Sequence, residues 1–214
     1  MFERLWNEIG PYDELLITPG LFSRPDSPTE YYAAITRIYV STPSSVLNGR
    51  KNWNIPKHLA HFTFTPISST RTLLTVSLPS PSSPSFFKAI LKTKFGLPLP
   101  VRTSWLDTTL SRWLLQGRGF EFLQLPIPIL PSSELDYELQ NSSDTGGQGK
   151  SLKVKPRASS WMKIAKLEKA DGEEGKNFGD GVDWPEFVVY TGVGAVIDFR
   201  GEVGLDFPVP EVVE

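Results

Sequence analysis

The chain has 214 residues, a formal charge of −2 at pH 7, no cysteine and two histidines. The near-neutral balance argues against nucleic acid as a partner, because phosphate binding calls for a basic face. The lack of thiols excludes disulfides, thiol catalysis and thiolate metal sites.

A hydrophobic content of 39% supports a core, and the length suits one domain, residues 1–214. No apolar run is long enough for a membrane helix, and Met1-Phe2-Glu3-Arg4 lacks a leader pattern. The expectation is therefore a cytoplasmic protein with no membrane partner. A zinc site would need carboxylates beside His58 and His61, and no metal-like spacing occurs, so no metal ligand is expected. No Gly-x-Ser-x-Gly elbow is present.

Residues 1–11 form a short lead-in that Gly10-Pro11 stops. Tyr12 to Thr18 reads as a strand, with Glu14 inside it and Pro19-Gly20 as the turn beyond. Arg24 to Thr29 reads as a polar loop. Tyr31 to Val40, rich in aromatic and β-branched residues, reads as one buried strand containing Arg37. An arginine in such a strand pairs with a carboxylate or faces a polar cavity. Ser41-Thr42-Pro43 is a helix start, a hydroxyl N-cap followed by proline, and Gly49 predicts an end near Arg50.

From Lys57 to Thr65 an extended segment is expected. Its alternation puts His58, Ala60, Phe62 and Phe64 on an apolar face and Lys57, Leu59, His61 and Thr63 on a more polar one. Thr70 to Leu78 is a further strand, and Phe86 to Lys94 an amphipathic helix with lysines outward. Trp105 to Leu115 fits helix or strand. Three prolines bar Leu125 to Pro131 from a central strand. Residues 132–157, with Asn141 to Gly149 at their centre, read as a mobile surface loop. Trp161 to Leu167, Phe187 to Tyr190 and Ala195 to Phe199 are the last strands. Gly192-x-Gly194 opens no helix, so no dinucleotide cofactor is expected. The sum is a mainly β (α+β) fold, an antiparallel barrel or strongly curved sheet with a few short helices.

The run Asn48 to Ala60 concentrates the chemistry. Lys57 follows Pro56 and precedes apolar residues. A lysine held there loses hydration, which disfavours the ammonium form, and a neutral amine attacks carbonyl carbon. The same residue also reads as a surface lysine beside a turn.

Gly49-Arg50, then Pro56-Lys57 and Leu59, resembles the acetoacetate decarboxylase superfamily, which carries Gly-Arg-Glu, a short spacer and Pro-Lys-Lys-Leu. The Ile38-Tyr39-Val40 strand and the helix after it sit where the family has them. Tyr12-Asp13-Glu14 is similar to the family's Tyr-x-Glu segment, whose glutamate lines the active site. The resemblance spans roughly residues 11–65. It implies a cone-like β-barrel and a Schiff-base lyase, in which Lys57 forms an iminium with a β-keto acid and Glu14 orients substrate or moves protons. Decarboxylation, or related aldol or dehydration chemistry, would follow without any cofactor. It also implies a small-molecule carbonyl or keto-acid partner and a homo-oligomer.

Three departures qualify the resemblance. His58 replaces the family's second lysine, Lys51 replaces its glutamate, and the chain starts almost at the Tyr-x-Glu segment, as if shortened at the N-terminus. Arg50 and Arg37 become the substrate-binding candidates in place of the family's N-terminal arginine, with Arg4 as a third. The alternatives are a non-catalytic barrel that binds a small apolar ligand and a truncated, inactive paralogue.

Overall fold

The computed structural model describes residues 12–24, 26–80, 82–93, 99–102, 121–130, 147, 149–155, 157–162, 165–170, 178–185, 204–206 and 209–213. The lead-in 1–11, the segment 105–115, the strands expected at 187–190 and 195–199, and most of the loop expected at 132–157 lie outside them. The described residues are mainly β, with one α-helix. Chain contacts gather into two compact units. The first comprises Met1–Leu59, Arg102–Ala158 and Gly204–Glu214, and the second Ala60–Val101 and Ser159–Val203.

In the first unit, β1 (Glu14–Ile17), β4 (Arg37–Val40) and β5 (Lys57–Leu59) form a sheet in the order β1-β4-β5. In the central strand β4, Ile38, Tyr39 and Val40 are all buried, so both of its faces are covered, as a run of Ile, Tyr and Val suits. β1 and β4 run antiparallel, β4 and β5 parallel. A parallel pair needs a crossover, and α1 (Pro43–Trp53) supplies it. A second sheet, in the order β15-β11-β10-β3-β2, joins Glu211–Val213, Ser151–Val154, Phe122–Gln124, Ser27–Ala33 and Leu21–Arg24. Ile38, Val40, Val46, Trp53, Leu152 and Val154 belong to one buried cluster. Each fully buried aliphatic side chain there contributes about 1.5–3 kcal/mol.

In the second unit β6 (His61–Ser68), β7 (Arg71–Ser77), β8 (Ser85–Thr93) and β13 (Ala165–Glu168) form an antiparallel sheet, order β13-β8-β7-β6. Phe87 packs edge-on against Trp184, ring centroids 5.6 Å apart. The remaining described strands are β9 (Leu99–Arg102), β12 (Arg157–Met162) and β14 (Gly204–Asp206). None of the described sheets closes into a barrel.

Several local expectations are corrected. Tyr31 to Val40 is two strands, because the chain breaks at residues 34–36. Gln124 is buried there, its amide oriented to exchange two hydrogen bonds with the Ile35 backbone. The polar loop expected at Arg24 to Thr29 is mostly strand: Arg24 ends β2, and Ser27, Pro28 and Thr29 open β3, which pairs back antiparallel. Of the helix expected at Phe86 to Lys94, the described residues through Thr93 form strand β8. Lys88 and Lys92 share a face in a helix or a strand alike, and pairing of β8 with both β7 and β13 decides for the strand. The loop expected at 132–157 gives way at Ser151 to β11, where Leu152 and Val154 are buried between half-buried Ser151 and Lys153.

The helix continues past Gly49 to Trp53 and ends at Asn54, which takes the left-handed conformation (φ 51°, ψ 29°). Asn is one of the few residues that take that region singly, and here the side chain is held by a long-range bond, Asn54 Nδ2 donating to the Lys150 carbonyl at 2.7 Å. Thr42 has the extended backbone of an N-cap residue, but its hydroxyl makes no capping bond. The extended segment expected from Lys57 to Thr65 is two strands, β5 and β6, divided at Ala60. Lys57 and Leu59 lie on a buried face, not the more polar one that alternation assigned, since β5 ends before His61.

Candidate active site around Lys57

Register sets the site. Lys57 pairs with Ile38, which pairs with Leu16. Leu59 pairs with Val40, which pairs with Glu14. Paired residues project to the same side of a sheet. Lys57, Ile38, Val40, Glu14 and Leu16 therefore share one face, with the lysine on one edge strand and the glutamate on the other.

Lys57 is 5% exposed. Its Nζ donates to Ser45 Oγ at 2.9 Å, Tyr12 OH at 3.3 Å and Glu14 Oε2 at 3.3 Å. It also stands 4.8 Å from the centroid of the Tyr12 ring. An ammonium has three N–H donors, and these three oxygens account for them. The amine is thus buried but not stripped of polar partners. Burial and then the charge of Glu14 push the Tyr12 phenol above its ordinary 10.0, with Lys57 and Ser45 pulling the other way. Burial also raises the Asp13 carboxyl.

The helix makes room for the lysine stem. A Cβ on Gly49 would lie 2.6 Å from Lys57 Cδ and 2.8 Å from Cε. Ser45 and Gly49 are four apart, hence neighbours on one face of α1. Both are buried, with Val46, Arg50 and Trp53. The stem lies along the slot that these two small residues leave.

Arg50, 2% exposed, donates from Nη1 to the Lys57 carbonyl at 3.1 Å and from Nη2 to the Pro128 carbonyl. It braces the backbone that carries Lys57. Arg37 is one residue from Ile38 and so lies on the opposite face of the sheet, as do Tyr39 and His58. His58 packs at a tilt on Tyr39, ring centroids 5.6 Å apart. The structure thus brings Lys57 and Glu14 together, places Arg50 beneath the lysine backbone and puts Arg37 on the other side. Arg4 lies outside the described residues.

Sequence reasoning missed Ser45 and the role of Gly49. The i, i+4 spacing of two small residues on a short helix was the available sign of a side chain crossing it. Among the described residues no group of three or more His, Cys, Asp and Glu is placed to hold a metal, and no helix is long and apolar enough to cross a membrane. No protein-family model, curated protein or solved structure matches this chain.

Proposed function

We propose that the protein is a Schiff-base lyase that decarboxylates a β-keto acid, or performs related aldol or dehydration chemistry, through Lys57. The observation that carries the reading is the buried Lys57 amine held 3.3 Å from the Glu14 carboxylate. A proton passes from the ammonium to Glu14, whose side chain is 29% exposed and can return it to solvent. The neutral amine adds to the ketone carbon, and loss of water gives an iminium. The bond to the carboxylate then breaks. Its electron pair moves to the iminium nitrogen as carbon dioxide leaves, giving an enamine. Protonation at carbon and hydrolysis release the ketone and the lysine. Tyr12 and Ser45 hold the amine in place, and Arg50 fixes the backbone beneath it. The reading carries with it a cone-like β-barrel and association into a homo-oligomer.

Occupation of the amine's three donors by Ser45, Tyr12 and Glu14 favours a second reading, a non-catalytic protein that binds a small apolar ligand. Reduction with borohydride in the presence of acetoacetate, followed by peptide mass mapping, separates the two. The lyase reading expects a reduced adduct on Lys57, none in Lys57→Ala, and release of carbon dioxide by the wild type alone. A wild-type chain that gains no mass at Lys57, under conditions that label a known Schiff-base lysine, refutes it.

A further inference from the structure

We propose that the Lys57 amine is approached across the β1 edge of the sheet and that Leu16 forms an apolar subsite beside it, so that the preferred carbonyl compound carries an alkyl tail. This rests on the Schiff-base reading for the carbonyl, but the subsite has its own geometry. Lys57 sits on the edge strand β5, while its Nζ bonds Tyr12 and Glu14 at the other side of the sheet. The side chain therefore runs toward β4, beneath the Ser45–Gly49 face of α1, and the side chains of Glu14 on β1 and of Tyr12 just before it reach back to meet the amine. The two strand spacings between β5 and β1 amount to about 10 Å, more than a lysine spans alone.

Exposure rises along that path. The Lys57 side chain is 6% exposed and the Glu14 side chain 29%, and Leu16 beyond them is an exposed residue. Glu14 and Leu16 are two residues apart on one strand, on the same face and about 7 Å from one another. Lone exposed leucines are ordinary on protein surfaces. What singles out Leu16 is its place in the same lateral row as Lys57 and next to the carboxylate that bonds Nζ. A ligand whose carbonyl meets Nζ at Glu14 has this apolar side chain beside it, on the open side of the site.

The experiment compares two probes, acetoacetate and 3-oxodecanoate, by the concentration that half-saturates the borohydride-reduced adduct on Lys57. The wild type is expected to take the long-chain probe at about 10-fold lower concentration, the effect of two to three partly buried methylenes. Leu16→Ser narrows the preference to within about threefold, and Leu16→Met keeps it, with far-UV circular dichroism verifying the fold of each. Equal half-saturation by both probes in the wild type, or an undiminished preference in Leu16→Ser, overturns the proposal.

If neither probe forms an adduct, the Schiff-base reading falls, and the subsite is tested without it. Decanoate then slows modification of Lys57 by methyl acetimidate in the wild type and not in Leu16→Ser. Failure of decanoate to protect overturns the subsite as well.

Discussion

The Gly49–Lys57 contact makes a prediction whose sign depends on background. In Gly49→Ala the new Cβ would stand 2.6, 2.8 and 3.1 Å from Lys57 Cδ, Cε and Cγ. Carbon–carbon contacts settle near 3.5–4.0 Å, so the overlap is about 1 Å and the stem must move. Overpacking of this kind costs about 1–3 kcal/mol. Opposing it is the gain of about 1 kcal/mol from alanine over glycine inside a helix. The net expectation in the wild type is a loss of about 0–2 kcal/mol, more if the lysine also gives up its bond to Ser45. In Lys57→Ala the stem is gone, only the helix term remains, and Gly49→Ala should then stabilise by about 0.5–1 kcal/mol. Urea unfolding of the wild type, both single variants and the double variant yields the coupling directly, about 2 kcal/mol in total. Equal effects of Gly49→Ala in the two backgrounds would show that the lysine does not lie in the slot, and the geometry of the site would be wrong.

Two further outcomes follow from the same cluster. Glu14→Gln keeps an acceptor near Lys57 but removes the proton acceptor, so adduct formation should slow by about 10²–10⁴-fold with the fold intact; an unchanged rate of reductive trapping would remove Glu14 from the mechanism. Burial raises the Tyr12 pKa above 10.0, so the folded state holds that proton more tightly than the unfolded chain. Its contribution to stability is complete below pH 10 and is lost as pH rises through the raised value. Stability curves of the wild type and Tyr12→Phe should accordingly diverge above about pH 10, and ultraviolet titration should show the late-ionising phenol missing from the variant. Identical curves for the two proteins at high pH would contradict that burial.

The tertiary structure sorted residues that look alike in the chain. Phe86 to Lys94 has a helix-like spacing of lysines, but strand pairing on both flanks made it the centre of a sheet. Arg37 and Arg50 were equal candidates on residue type. One is on the far face of the β1-β4-β5 sheet, and the other is committed to the carbonyls of Lys57 and Pro128. Such choices rest on which segments pair, and pairing joins residues dozens of positions apart.

Residue order alone determined a mainly β chain punctuated by Pro and Gly, a strand at Glu14, a proline-led helix after Thr42 and a strand beginning at Lys57. These follow from local chemistry: β-branched and aromatic runs, proline at a first helical turn, and proline before an extended residue. Only the tertiary structure decided what surrounds the lysine amine. Glu14 comes from β1 and Tyr12 from just before it, Ser45 and Gly49 from α1, and their meeting depends on β1 lying beside β4 and α1 crossing between β4 and β5. The physical reason is range. A turn or a cap is settled within a few residues, whereas the partners of a buried cation are settled by sheet order and register, which no local pattern encodes.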